Sequence, residues 1–131
     1  MLSRRIISAV LFCLYIAAVA YLCFAKPEDM PQLSQTWFGL PSDKVGHFLM
    51  FLPYPLLSFH LFRHDEMTAG RQILLLAVLM VTGAGLAAGS EQIQASLGYR
   101  SADTHDLIAD MAGLTTGGLC ILFYILFRRR R

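Results

Sequence analysis

Residues 6–25 run for twenty positions without a charge. A helix of that length rises about 30 Å, the thickness of a bilayer's hydrocarbon core. Three further apolar stretches follow, at about residues 44–62, 72–94 and 106–127. The composition agrees: 15% of the residues are charged, against roughly 25% in soluble domains. The expected fold is all-α: a polytopic membrane protein, a four-transmembrane-helix bundle built as one domain over residues 1–131. The competing reading of the first run is a cleaved signal peptide, with Cys23-Phe24-Ala25 as a small-x-small site. The run is long for a signal, so a retained helix is expected.

The connections support this division. Pro27, Pro31 and Pro41 break any helix between the first two runs, and Trp37 and Phe38 suit a membrane–water interface. Pro53 and Pro55 should kink the second run near its middle. The third run turns from bulky to small residues, with Gly85 and Gly89 as a GxxxG. In the fourth, Ala109, Gly113 and Gly117 form a ladder of small residues that admits a close neighbour. Cys13, Cys23 and Cys120 lie inside apolar runs without metal spacing and read as small lipid- or core-facing residues.

Charge gives the orientation. Arg4, Arg5, Arg63, Arg71, Arg128, Arg129, Arg130 and Arg131 share one side, and Lys26, Lys44 and Arg100 the other. The basic side is cytoplasmic, so both termini are expected there. A net charge of +2 gives no reason to invoke nucleic acid. The acids Glu28, Asp29, Asp43, Glu91, Asp103, Asp106 and Asp110 then belong to the outer side.

Three segments deliver polar residues to that level. The second run starts with Asp43, Lys44 and His47, and the 43/47 spacing puts the acid and the imidazole on one helix face. The third ends with Glu91, Gln92 and Gln94. The fourth is approached through Arg100, Asp103 and His105, and continues with Asp106 and Asp110. Asp103, Asp106, Asp110, Gly113 and Gly117 recur at +3/+4, on one face. Asp110 is 17 residues from Phe127, about 25 Å at 1.5 Å per residue. That depth is just inside the outer hydrocarbon boundary rather than at the midplane, where transporters place coupling sites. His60 and His64, at the cytoplasmic end of the second run, read as interfacial.

The pattern Asp43-Lys44-x-x-His47-Phe48, Glu91-x-x-Gln94, Arg100, Asp106, Gly113 and Gly117 resembles the VanZ-like family of bacterial membrane proteins. The resemblance covers about residues 43–117 and departs at Asp110, where the family usually has Asn. It implies a multi-pass protein of the bacterial cytoplasmic (inner) membrane and cell envelope. The family takes its name from a protein associated with resistance to the glycopeptide teicoplanin.

Two functions stay open. One is a hydrolase or transferase acting on a lipid headgroup or a lipid-linked wall precursor. His47, Glu91, Asp106 and Asp110 would carry the chemistry, and Lys44, Arg100 and Gln94 would hold the substrate. Asp43, Asp103, Gly113 and Gly117 would support them. No Ser or Cys pairs convincingly with His47, which disfavours a covalent mechanism through either. The cofactor is unknown: Glu91, Asp106 and Asp110 offer oxygens to a divalent cation, and His47 or His105 would add nitrogen for a transition metal. The other function is an accessory or binding protein whose cluster locks the bundle or recognises a headgroup or partner. Its glycine stripes would serve a homodimer or a partner membrane protein.

Overall fold

A computed structural model describes residues 2–30, 32, 34–62, 64–99 and 101–128. The expectations placed on Pro31, Arg63, Arg100, Arg129, Arg130 and Arg131 lie outside these residues. Five helices make up the fold: α1 (Leu2–Phe24), α2 (Ser42–Phe51), α3 (Pro53–Leu61), α4 (Ala69–Ser96) and α5 (Thr104–Arg128). Among the described residues, α1, α4 and α5 are long and apolar enough to cross a membrane. The second apolar run is divided into α2 and α3. The division falls at Leu52, where Pro53 and Pro55 remove two backbone donors and the expected interruption occurs.

Helix limits follow local chemistry. Thr68 caps α4 by accepting from the Arg71 N–H, so the helix starts before the sequence boundary at residue 72. Beyond its C-terminal end, Gly98 takes a φ of 76°, a left-handed conformation open to glycine at little cost. Asp103, just before α5, accepts from the His105 N–H at 2.9 Å. Asp103 thereby caps this helix.

Between α1 and α2 the chain forms a short antiparallel hairpin, β1 (Thr36–Trp37) with β2 (Leu40–Pro41). Sequence periodicity gives no sign of strands this short. Its two turn residues, Phe38 and Gly39, have φ of 53° and 78°, as a type I′ turn requires. Phe38 stands 99% exposed at the tip.

Helix α5 is the centre of the bundle, packed against α2, α3 and α4. Its glycine face explains how close α2 and α3 come. A Cβ at Gly113 would fall on the Phe48 carbonyl oxygen, and one at Gly117 on the Leu52 carbonyl oxygen. A side chain on α5 would therefore strike the backbone of the neighbouring run, so only glycine fits. One apolar cluster joins Phe59, Leu76, Leu79, Ile121 and Ile125; another joins Phe51, Tyr54, Ala87 and Leu114. Helix α1 sits at the edge, meeting α3 and α4. Most of its side chains are exposed, as expected of a lipid-facing helix. Cys23 is buried, whereas Cys13 and Cys120 are exposed. Gly85 and Gly89 have nothing within 4 Å of a built Cβ, so the GxxxG forms no close contact within the chain.

Candidate functional site

One end of the bundle gathers the start of α2, the end of α4 and the start of α5. The polar residues of these three segments meet there. His47, on the face of α2 that packs on α5, is 4% exposed. Its Nδ1 lies 2.8 Å from Asp110 Oδ1, and its Nε2 lies 3.4 Å from Asp106 Oδ2. The ring is thus held from both nitrogens by two acids one turn apart on α5. The sequence offered Asp43 or Glu91 as its orienting acid, but Asp43 is exposed and turns to Lys44, and Glu91 accepts from the Asp103 N–H.

Lys44 Nζ donates to three carboxylates: Asp43 at 3.1 Å, Asp103 at 2.6 Å, and Asp106. This ammonium draws the connection before α5 onto the start of α2. Lys44, together with the His105 N–H, holds the Asp103 carboxyl well below the usual carboxylate range. His105 is exposed, with Nδ1 3.1 Å from the same Asp103. It does not join the buried set.

Glu91 reaches the cluster from α4. Its Oε2 accepts from the Asp103 backbone N–H at 3.2 Å. Its other oxygen, Oε1, is buried without a hydrogen-bond partner, and so is Asp110 Oδ2. His47, Glu91 and Asp110 each offer one ligand atom such that all three atoms lie within 4.8 Å of one another. Asp43, His47 and Asp106 meet the same criterion at the exposed side.

One of the residues expected to hold substrate stands elsewhere. Gln94 is buried and donates through Nε2 to the Cys23 carbonyl at 2.9 Å. In this structure it ties α4 to α1, and Tyr99 does the same through the Phe24 carbonyl at 2.6 Å. Arg100 lies outside the described residues. The supporting residues Gly113 and Gly117 do bring α5 onto α2 and α3, as described above.

The sequence reading missed Tyr15. From α1 its hydroxyl donates to the Met50 carbonyl at 2.5 Å, and its ring lines a cavity of about 520 Å³. The cavity lies between α1 and α2. Ala18, Val19, Leu22 and Met50 make its apolar walls, and Asp43 and His47 lie at its polar end. One of two tyrosines in a largely apolar run, it carries no periodic signal that would single it out. At the far end of α3, His60 Nδ1 lies 2.7 Å from the Leu56 carbonyl, remote from the cluster. The His64 side chain lies outside the described set.

The fold and these residues can now be compared with known proteins. The VanZ/LLP1 family matches over residues 12–128. This chain belongs to the VanZ/LLP1 family. With three apolar helices of spanning length, this VanZ/LLP1 chain is a multi-pass membrane protein. It is also 30% identical over 128 residues to the uncharacterised protein C11E3.10 of the fission yeast Schizosaccharomyces pombe, covering 98% of this chain and 68% of that protein. The VanZ/LLP1 chain therefore has a eukaryotic relative, although its sequence resemblance pointed to bacterial proteins. No solved structure matches it.

Proposed function

We propose that this protein works on the headgroup of an amphipathic lipid or lipid-linked wall precursor, as a hydrolase or transferase. The observation that carries this reading is continuity. The buried His47–Asp106–Asp110 set adjoins a largely apolar cavity of about 520 Å³ between α1 and α2, and His47 lines both. A headgroup at the acids would leave its chain along Ala18, Val19 and Leu22. His47 is the acid–base group, with Asp110 fixing the ring through Nδ1. Asp106 stands at the other nitrogen.

The excess of arginine at the opposite end favours cytoplasmic termini and an outward-facing site. The paired runs α2 and α3 then serve as the fourth crossing of a single domain. On this reading the protein resides in a bacterial cytoplasmic membrane. Its phenotype is expected in envelope integrity or glycopeptide resistance of the teicoplanin type. On this reading the first helix is retained, which keeps the bonds from Gln94 and Tyr99 to its last residues.

The test expresses wild type and His47→Ala at equal levels, then profiles envelope lipids and glycopeptide susceptibility. An altered lipid species in wild type alone is expected. Identical profiles together with identical susceptibility would sink the reading.

A second reading, a non-enzymatic binder, draws support from Lys44. Its ammonium is already committed to three carboxylates, which suits a lock between helices. On that reading Asp110→Asn retains full function while a bulky residue at Gly113 abolishes it. Chemistry at the cluster instead predicts that Asp110→Asn protein folds but loses function, while Gly113 replacement abolishes function on either reading.

A further inference from the structure

The inner part of the cluster has an imbalance that its hydrogen bonds leave standing. Five carboxyl groups converge: Asp43, Asp103, Asp106, Asp110 and Glu91. Among the described residues one ammonium, Lys44, meets them, and it bonds only the first three. The other two, Glu91 and Asp110, are the deeper pair, 7% and 1% exposed. Among the described residues each keeps one oxygen buried and unpartnered. An orphaned buried acceptor costs about 1–3 kcal/mol, more when it is charged. Two such oxygens beside one imidazole mark a place where positive charge is wanted.

We propose that His47, Glu91 and Asp110 form a binding site for one divalent transition-metal ion. Their ligand atoms already lie within 4.8 Å of one another. Bonds of about 2.0–2.2 Å bring ligand atoms to at most ~4.4 Å apart, so small side-chain rotations close the set. The three residues come from three helices, α2, α4 and α5, and the Gly113 contact sets the spacing of the α2 and α5 backbones. Two carboxylates with one imidazole select a borderline ion such as Mn²⁺ or Zn²⁺ over Ca²⁺ or Mg²⁺, which favour oxygen alone.

The surroundings fit this assignment. His47 Nδ1 faces Asp110 Oδ1, so an ion entering between them takes Nδ1 as ligand. Nε2–H then remains directed at Asp106 Oδ2, 3.4 Å away. A carboxylate behind a metal-bound imidazole fixes the ring and raises its basicity. Lys44 in turn balances Asp106. Glu91 is oriented by the Asp103 N–H on Oε2, which leaves Oε1 for the ion. The site does not depend on the headgroup reading, and an ion on Nδ1 replaces the acid–base role which that reading gives His47.

The experiment uses the full chain in detergent micelles, stripped with chelator, with Mn²⁺ or Zn²⁺ alone as probe. Titration calorimetry should give one equivalent per chain, with Mg²⁺ and Ca²⁺ at least roughly tenfold weaker. Electron spin-echo spectroscopy of the Mn²⁺ form should show coupling to one imidazole nitrogen. Glu91→Gln and Asp110→Asn keep side-chain shape and should each weaken binding by at least roughly tenfold. Arg128→Ala, at the opposite end of α5, should bind as wild type does. Should one variant fail to elute as a folded species, the other variant and the wild-type nitrogen coupling decide. The proposal is overturned if wild type takes up no ion, as a proton shared by the two carboxyls would predict. Uptake unchanged in both variants, or without nitrogen coupling, would also overturn it. Binding without any lipid phenotype leaves the metal site standing and removes the headgroup reading alone.

Discussion

At the end of the bundle where α5 finishes, Arg128 donates to Asp65 and to the Tyr124 hydroxyl. Both members of that ion pair stand about half exposed or more. At the other end, α5 begins among carboxylates that are largely buried and outnumber their described base. The two ends use the same residue types for different purposes. An exposed pair is solvated whether or not it forms, so it contributes little. A buried group must be matched on the spot, so each partner matters. The unmatched oxygens of Glu91 and Asp110 have no counterpart at the exposed end among the described side chains. Function is therefore sought at the buried end.

That contrast can be broken in four ways. The largest effect is expected from Gly113→Val, which places carbon on the Phe48 backbone and pries α5 from α2. Overpacking a core costs about 1–3 kcal/mol and sometimes more, and a backbone cannot step aside as a side chain can. Little folded protein should survive detergent extraction and size exclusion. Gly85→Val, with nothing within 4 Å, should extract normally. Equal yields would show that the buried end does not depend on the glycine contact.

Next comes Asp110→Ala, which leaves the His47 Nδ1 without its 2.8 Å partner. A loss of about 1–3 kcal/mol is expected from a buried group left unmade, read as a lower denaturation midpoint in mixed micelles. A smaller effect follows from acid. The folded-state pKa of Asp103 is depressed by Lys44 and by the His105 N–H. Its contribution is thus fully present above its unfolded value of about 4 and is lost as pH falls below that. Asp103→Asn should flatten the acid limb of a melting-temperature profile and leave the neutral plateau nearly flat. Smallest of all, Arg128→Ala should leave the melting temperature close to wild type at physiological salt, where exposed pairs are screened. A drop as large as that of Asp110→Ala would erase the contrast between the ends.

The parts legible in the sequence are those fixed by local spacing. Hydrophobic runs located α1, α4 and α5 to within a few residues. The +3/+4 recurrence placed Asp103, Asp106, Asp110, Gly113 and Gly117 on one face; the last four are buried in α5, whereas Asp103 precedes the helix and is partly exposed. The proline pair correctly marked the interruption at Leu52. What sequence could not fix is how the helices rotate against one another. Asp43 lies one turn before His47, yet the ring looks across to α5 and takes Asp110. Gln94 has the polarity of a ligand-holding residue, yet it closes onto α1, whose position no motif announces. The hairpin tip escaped for another reason: a strand of two residues is too short to show alternation.

The contact between Gly113 and Phe48 also sets a tolerance. His47 immediately precedes Phe48, and Asp110 lies less than one turn before Gly113. The separation of two backbones is thereby passed directly to the 2.8 Å gap between imidazole and carboxylate. A widening of about 1 Å would take that pair beyond hydrogen-bond range. Glycine here works as a gauge block: the absence of a side chain sets how far apart the imidazole and the carboxylate stand. Thickness or curvature of the surrounding membrane, if it tilts α5 against α2, would then be read out at His47.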